Sequence, residues 1–304
     1  MMRILDSYHT DSNKLKSFRI SIADILIEVQ SSLSAVDLGI VDRFATFLDP
    51  PDNPLTQVSL HWQESQSVPN PVGKLIYDPG SIWKMYFDGE QFYAAMTYAD
   101  NDDMPQTQSV LRANPTWDNL TLIEQRTGPQ WQSLLNLGAG ELLLRSKILL
   151  TDGMIFHASG LDDHGRGILF VGHSGAGKST QLDFWNTEPG VVAMNDDRIA
   201  VRAIANGAIC YGTPWGGTSN IACNHAAPLS ALVLLEQAPH NDIQQISSAA
   251  AASLLVPRMF LPYWDQALMQ RALANLDTLL SRVPVYRLRC RPEPAAIELV
   301  RSVL

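Results

Sequence analysis

The segment GHSGAGKST at residues 172–180 combines three glycines, a lysine and three hydroxyl side chains directly behind a short apolar run. Its spacing matches G-x-x-x-x-G-K-[ST], with Gly172, Gly177, Lys178 and Ser179 at the fixed positions, between a predicted strand and a predicted helix. Glycines let the backbone curl so that several amides point at phosphate oxygens, and a helix N-terminus adds the positive end of its dipole. The segment therefore predicts a nucleotide-binding loop, the alternative being a chance glycine turn that caps a helix.

Each residue type in this loop has its own expected task. Lys178 would reach the β and γ phosphates as a point charge, and the Ser179 hydroxyl would bind the Mg²⁺ that accompanies a nucleotide. Thr180 would support the start of the helix. The residues predicted to contact the nucleotide are Gly172, Ser174, Gly175, Ala176, Gly177, Lys178, Ser179 and Thr180.

An acidic pair in the segment Asn195-Asp196-Asp197-Arg198 follows the next apolar run, and Asp196 comes 18 residues after Lys178. This distance accommodates a helix, a turn and a strand that returns alongside the loop. If the strand continued, the two carboxylates would point to opposite faces, so one would take a proton from an attacking hydroxyl and the other would bind Mg²⁺. The alternative is an Asx-type turn with solvated carboxylates.

Strands and helices alternate around these motifs, which favours an α/β core. Strands are predicted at residues 154–161, 167–171, 191–194, 229–235 and 285–290, and helices at 179–186, 244–256 and 264–281. The last helix places Met269, Ala272, Leu273, Leu276 and Leu280 on one face. On the final strand, Arg287 and Arg289 share a face that we expect to be wet.

The first half of the chain is typical of β structure. Residues 19–30 alternate with a phase slip near Asp24, and residues 82–98 predict a hairpin around Asp88-Gly89. The polar stretch 100–119 is predicted to be a loop, in which Asp100, Asp102 and Asp103 are either solvated or bind a metal, and residues 141–150 predict a short helix. We place a domain boundary near residue 140, with a β-rich α+β domain at 1–140 and a nucleotide-binding domain at 141–304.

Composition limits the function classes. The chain has 304 residues, 46% of them hydrophobic, and a formal charge of -9 that would repel nucleic acid and anionic membranes. Cys210, Cys223 and Cys290 form no C-x-x-C pair, and no stretch is typical of a signal peptide or a membrane span. We therefore expect a cytoplasmic protein that binds neither nucleic acid nor membrane.

The order and spacing of His157-Ala158-Ser159-Gly160, the glycine segment and the acidic pair resemble the catalytic domain of HPr kinase/phosphorylase. That resemblance covers residues 140–304 and is sharp only over 154–200. It implies a P-loop-containing mixed β-sheet core, with a nucleotide site like that of phosphoenolpyruvate carboxykinase, and a kinase that uses ATP and Mg²⁺. It also implies Asp196 as general base, Asp197 beside the metal, and His157 beside the acidic pair, with Lys178 on the phosphates.

The chain also departs from that family. Thr180 stands where the family has an acidic residue, and the segment from Tyr211 to Thr218 replaces the signature linked to the phosphorylase reaction. The chain looks more like the stand-alone HPr-kinase-related proteins, which implies a serine of a small protein or precursor peptide as the acceptor. The N-terminal domain would recognise the acceptor, mediate oligomer contacts or cover one face of the catalytic sheet, and a homo-oligomer remains open.

Two further residues have open roles. Trp215 would stack on the base of the nucleotide or hold the acceptor; alternatively, it is a packed tryptophan in a tight turn. Arg258, between two predicted helices, would reach a phosphate or is structural. The alternative functions are a nucleotide-binding regulatory module with little phosphoryl transfer and a kinase for a free small molecule.

Overall fold

The computed structural model describes residues 16–32, 42–48, 54–98, 107–125, 138–217, 219 and 221–304. Two eight-stranded sheets dominate this part of the chain, and both combine parallel and antiparallel pairs. The protein is therefore a mixed α/β structure rich in strands, which agrees with the predicted fold class at that level.

The first sheet is formed by the N-terminal half of the chain, in the order β1-β2-β3-β8-β7-β6-β5-β4. Its strands are β1 Lys16–Ile22, β2 Ile25–Ser31, β3 Thr56–Ser65, β4 Lys74–Tyr77, β5 Trp83–Phe87, β6 Phe92–Tyr98, β7 Thr107–Ala113 and β8 Asn119–Gln125. The predicted slip near Asp24 is confirmed as a two-residue turn, in which Ala23 and Asp24 have φ of 53° and 61°. The predicted hairpin at Asp88-Gly89 is also confirmed, with Gly89 at φ 105°.

The loop predicted at 100–119 is wrong over residues 107–113, which form β7 between β6 and β8. Ser109, Val110, Leu111 and Ala113 are buried, and pairing on both edges of β7 outweighs the polar composition of the neighbouring residues. Asp100, Asp102 and Asp103 lie outside the described residues.

The second sheet has the order β10-β9-β12-β13-β14-β16-β15, and β11 pairs with β9 beside this path. Its strands are β9 Gly153–Asp163, β10 Gly167–Val171, β11 Val191–Asn195, β12 Arg198–Ile204, β13 Gly207–Gly212, β14 Ala226–Gln237, β15 Asp242–Gln245 and β16 Val285–Cys290. β10, β14 and β16 run parallel. Because β10 pairs with both β9 and β14, the five strands β9, β10, β12, β13 and β14 form a closed circuit of pairings.

The helices are α1 Gly138–Lys147, α2 Lys178–Trp185, α3 Ser248–Leu255, α4 Gln266–Leu280 and α5 Ala295–Arg301, with short 3-10 helices at Asp42–Phe47, Ile148–Thr151 and Val256–Arg258. The helix predicted at 244–256 is wrong at its start, because residues 242–245 form an edge strand and Ser247 caps α3. On α4, Leu273 is 46% exposed, whereas Leu268 and Leu279 are buried. The buried face of α4 is therefore turned around the helix axis relative to the face that the sequence predicted, with Leu268 and Leu279 on it and Leu273 outside it.

Two apolar clusters hold the elements together. One lies on the face of the second sheet that α2 and α5 cover, and it includes Phe170, Trp185 and Ile297. The other is continuous from the first sheet through α1, α3 and α4 to the opposite face of the second sheet. The domain boundary near residue 140 stays a prediction. No helix in the described ranges is both long and apolar enough to cross a membrane.

Candidate functional site

A cavity of about 730 Å³ opens at the carboxyl ends of the parallel strands β10, β14 and β16. In open α/β sheets this edge is where ligands usually bind. Its walls include seven of the eight predicted loop residues, both aspartates and His157, and also residues that the sequence analysis did not select: Gln181, Gly217, Gln237, Ala238, Pro239, Cys290, Arg291 and Pro292. Gly172 is the predicted residue that does not line it; a Cβ there would lie 2.7 Å from Ala176 Cβ, so this glycine permits a tight turn.

The glycine loop, residues 172–177, curls at two positive φ angles, 79° at Gly175 and 103° at Gly177. The turn is closed by the Ala176 amide, which donates to the His173 carbonyl over 3.1 Å. Gln237 Nε2 donates to the Gly175 carbonyl over 2.7 Å and ties the loop to the end of β14. α2 begins at Lys178, so the first amides of this helix have no intrahelical acceptor and are available to a ligand.

Lys178 lies at the base of the cavity and is 8% exposed. Its Nζ donates to the carbonyls of Gly172 and His173 over 3.1 and 3.4 Å. The pKa of Lys178 lies below its ordinary value. Burial is the largest cause; the charge of Asp197 opposes this lowering, and the charge of Arg258 adds to it. Both charged side chains therefore lie within electrostatic range of the lysine.

The acidic pair occupies a break in an otherwise continuous strand ladder. β11 and β12 both pair antiparallel with β9, with Asn195 opposite Gly160 and Arg198 opposite His157, and residues 196–197 fall between the two stretches. Asn195 Oδ1 accepts from the amides of Asp197 and Arg198, each over 2.7 Å. The strand does not continue through residues 196–197, so the condition for opposite faces is not met, and both aspartates line the same cavity. β11 also does not lie next to β10, because β9 separates them.

Asp196 is 4% exposed and is enclosed by the segment that follows β13. Its Oδ1 accepts from the Gly217 amide over 2.6 Å, and its Oδ2 accepts from the Ser219 amide over 2.8 Å. A Cβ at Gly217 would lie 3.0 Å from Oδ2, so glycine allows this close approach. An ionised carboxylate has about four lone-pair sites, and each oxygen keeps capacity for a further donor.

Asp197 is held by two side chains. His157 Nδ1 lies 2.9 Å from Asp197 Oδ1, and Arg198 Nη1 donates to Oδ2. Burial alone would raise the pKa of Asp197, but the hydrogen bond from His157 and the charges of Arg198 and Lys178 outweigh it and hold that pKa below its ordinary value. Thus His157 stands beside Asp197 within the acidic pair, and Asp197 stays ionised near neutral pH.

Arg258 ends the 3-10 helix Val256–Arg258 and lies within electrostatic range of Lys178, but it is not among the described residues that line the 730 Å³ cavity. An isolated bridge between Phe156 and Met259 and a 3.0 Å hydrogen bond from the Phe260 amide to the Ile155 carbonyl attach this segment to β9. Arg258 makes no hydrogen bond or ion pair with any other residue in the described ranges. This guanidinium near Lys178 is suited to an anionic ligand.

Trp215 does not line the 730 Å³ cavity. Its side chain is 5% exposed and its ring meets Phe44 edge-on, with centroids 5.9 Å apart. This geometry agrees with the packed tryptophan of the alternative interpretation and gives no support for stacking on a base.

Within the part of the chain that the structure describes, no group of three or more His, Cys, Asp or Glu side chains could hold a metal by itself. The Ser179 and Asp197 side chains nevertheless both line the cavity. Mg²⁺ usually takes one or two protein carboxylates and completes its shell with water and phosphate oxygens. These two residues fit that demand.

No protein-family model and no curated protein matches the chain. Among solved structures, the HPr(Ser) kinase/phosphatase from Coxiella burnetii matches with 16% identity and a TM-score of 0.29, over 49% of this chain and 88% of that one. A likeness at this level does not establish a family, so the functional argument rests on the cavity itself.

Proposed function

We propose that the chain is an ATP- and Mg²⁺-dependent kinase that transfers the γ-phosphoryl group to a hydroxyl, with a serine of a small protein or precursor peptide as the acceptor. The observation that carries the proposal is that a glycine loop with its lysine and a pair of carboxylates line one cavity. A phosphate-binding loop alone would serve any nucleotide-binding protein, but a second carboxylate beside it supplies a base for the acceptor.

The nucleotide would lie along the carboxyl edge of the sheet. The loop amides and the first turn of α2 would bind the phosphates, with Lys178 and Arg258 adding positive charge. The nucleobase would lie towards the residues that follow β14 and β16, where Ala238, Pro239 and Pro292 provide apolar surface. A volume of about 730 Å³ falls in the range usual for cofactor-sized ligands.

In the transfer step, the acceptor oxygen forms a bond to the γ phosphorus while the bond from that phosphorus to the bridging oxygen breaks and ADP leaves. We assign Asp196 the acceptor proton, because its carboxylate faces the cavity and is fixed by two backbone amides. Asp197 and Ser179 would hold Mg²⁺, which neutralises phosphate charge when bound. His157 would orient Asp197 through their hydrogen bond.

One observation favours the regulatory alternative. Both oxygens of Asp196 accept amides from the segment around Gly217, so this carboxylate also organises that segment. In a regulatory module, nucleotide binding would reposition the segment and little phosphate would be transferred. A kinase for a free small molecule would use the same site as the protein kinase.

The direct test is to incubate the purified chain with γ-labelled ATP, Mg²⁺ and a lysate from the source organism, and to ask which molecule acquires label. We expect one small protein or peptide to be labelled, and we expect a parallel reaction with the Lys178→Ala variant to leave it unlabelled. Label found only in a small metabolite would identify the small-molecule kinase. Tight ATP binding with no labelled product other than inorganic phosphate would support the regulatory module instead.

A further inference from the structure

A second cavity, of about 340 Å³, lies on the other side of the segment that encloses Asp196. Gly216 lines this second cavity and Gly217 lines the first. Its other described walls come from the 3-10 helix Asp42–Phe47, from the start of β5 and the residues before it, from α1, from the first residue of β12 and from the segment after β13. They are Arg43, Ser81, Ile82, Trp83, Gly138, Glu141, Leu142, Arg145, Arg198 and Trp215. Elements of both halves of the chain therefore build one small chamber next to the proposed acceptor site.

The described residues that line this chamber include three arginines and one glutamate. Arg198 is already paired, since its Nε lies 3.2 Å from Glu141 Oε2 and its Nη1 donates to Asp197 Oδ2. Arg145 has no carboxylate within ion-pair distance in the described part of the chain. Its guanidinium instead donates to the Leu261 carbonyl and lies over the Trp264 ring, 4.9 Å from the centroid.

The arginines are also partly removed from water. Burial lowers the pKa of Arg145 and that of Arg43, and the charge of Arg198 lowers the pKa of Arg43 further. Burial is also the largest influence on Glu141, whose pKa is raised. A desolvated guanidinium that lines a cavity and contacts no carboxylate of the described residues, as that of Arg145 does, is unfavourable unless an anion joins it.

We propose that this chamber binds one carboxylate or phosphate group carried by the phosphoryl acceptor. The inference rests on the proposed function, because it names the chemistry by which that site selects its acceptor. Arginine guanidinium groups bind such anions through paired, charge-assisted hydrogen bonds. Arg198 joins the two cavities, since it contacts Glu141 in the chamber and Asp197 in the proposed active site.

The surface beside the chamber suits a peptide that carries the anion. Trp83 lines the chamber and meets Trp264 edge-on, with centroids 5.4 Å apart. Tyr77 stacks on Tyr263 at 6.1 Å, and Tyr263 is 57% exposed. Exposed aromatic rings next to a basic pocket offer apolar contact for residues that flank an acidic group.

The first test measures anion binding without any transfer reaction. In a Lys178→Ala background, which weakens phosphate binding at the glycine loop, inorganic phosphate and succinate are titrated by calorimetry. We expect Arg145→Gln to weaken binding about tenfold or more, as the loss of a charged hydrogen-bond donor would. We expect Glu141→Gln to tighten it, because a competing negative charge is removed. The matched control is Arg287→Gln, which removes an arginine paired with Glu236 on the surface of β16.

The two variants are expected to change the anion affinity in opposite directions. The test therefore stays decisive if Arg145→Gln folds poorly, because tighter anion binding by Glu141→Gln could not come from a damaged fold. Equal affinity in all these proteins, or no anion binding in the Lys178→Ala background at millimolar concentration, would overturn the proposal.

The second test asks whether the anion belongs to the acceptor. Wild-type and Arg145→Gln proteins with Lys178 intact are given γ-labelled ATP and a serine peptide library in which one flanking position at a time is fixed as Asp, Glu, phosphoserine or a neutral residue. We expect an acidic preference at one position in the wild type, its loss in the variant, and an unchanged KM for ATP.

The two failures are distinguishable. Anion binding that follows the expected signs, together with labelled peptides that show no acidic preference, would overturn the acceptor assignment and make a free anion the ligand. If the wild type labels no peptide, the proposed peptide kinase fails, whereas the titration still decides whether the chamber binds anions.

Discussion

The two sheets use charged residues in different ways. In the first sheet, the buried carboxylate of Glu124 accepts a hydrogen bond from Trp62 Nε1 inside the core. Other charged contacts of that sheet lie near the surface, as in the 2.8 Å pair of Lys84 with Asp78 and the 2.7 Å hydrogen bond from Gln57 to Glu28. In the second sheet, Lys178 and Asp196 are buried at a cavity. Burying charge is costly unless it is paired or serves a ligand, so the second sheet is where function is expected.

Two turns show the same contrast at the level of the backbone. At the β5–β6 turn, the Asp88 carboxylate accepts the amides of Glu90 and Gln91, so the turn satisfies its own donors. At the end of the glycine loop, the N-cap residue Gly177 has no side chain that could accept these amides, so the amides at the start of α2 stay available. A glycine turn therefore indicates a ligand site only where its own side chains leave the donors unused.

The largest expected effect tests whether the buried carboxylate of Asp196, in the second sheet, is needed for function. Asp196→Asn should lower phosphoryl transfer by about 10²–10⁴-fold, because it removes the proposed base. Nucleotide affinity should stay within a few-fold, since the loop and Lys178 are unchanged. Initial rates of label transfer and titration with a fluorescent ATP analogue measure the two quantities.

Asp88→Asn is the control for that variant, as it alters a carboxylate that accepts two backbone amides in the first sheet. It should leave the transfer rate unchanged. Full activity in Asp196→Asn would show that another group accepts the proton of the acceptor hydroxyl.

The second expected effect concerns the buried lysine. Lys178→Ala should weaken binding of a labelled ATP analogue by about 100-fold, since hydrogen bonds to charged groups contribute roughly 1.5–3 kcal/mol. Lys84→Ala, which removes an exposed lysine of the first sheet, should bind as the wild type does. Unchanged affinity in Lys178→Ala would refute the loop assignment.

A third expectation separates structural from functional charge within the second sheet. Arg301 contacts both oxygens of the buried Asp163 and lies over the Trp185 ring. Arg301→Ala should lower the free energy of unfolding by about 2–3 kcal/mol, below the range for fully buried pairs because Arg301 is 22% exposed. Urea unfolding measures it, with Arg289→Ala at an exposed pair as the control.

This effect should depend on pH with a definite sign. Burial alone would raise the pKa of Asp163, but Arg301 and Arg166 hold it below its ordinary 3.8. The ionised group therefore stabilises the fold above about pH 4, and that contribution is lost as the pH falls below 3.8 towards the folded value. The difference between wild type and Arg301→Ala should narrow over that range; a constant difference would show that Arg301 acts by packing.

The smallest expected effect tests how the two sheets are joined. Asp24, in the β1–β2 turn, accepts from Tyr211 Oη over 2.6 Å and from Arg202 Nη1 over 2.8 Å. Asp24→Asn should lower the free energy of unfolding by about 1 kcal/mol, since Asp24 is partly exposed. Asp78→Asn at the surface should change it by less, because an exposed ion pair adds little stability. Equal effects would mean that the link adds no stability of its own.

The sequence predicted the parts of this molecule that short-range rules control. The pattern of apolar and polar residues predicted most strands. The Asp88-Gly89 pair predicted a turn, because glycine readily adopts a positive φ. The glycine segment of residues 172–180 was predicted for the same reason, since its spacing, the preceding strand and the following helix are all local.

The remainder depends on pairing between distant residues. β7 was missed because its pairing with both neighbours, rather than its polar composition, makes it a strand. The far wall of the cavity follows β14 and β16, which join β10 only through parallel pairing across long stretches of chain. The arginine chamber collects residues from three separate regions, and no local pattern of Arg43, Arg145 and Arg198 predicts their meeting.

The ladder break at residues 196–197 has a mechanical consequence. The strands on both sides of it pair with β9, so the backbone of residues 196–197 is held from both ends. A backbone held in this way needs little reorganisation when charge moves during a reaction. Any conformational closure around a bound nucleotide would therefore be expected in the glycine loop and the segment around Gly217, while the backbone of the acidic pair keeps its position.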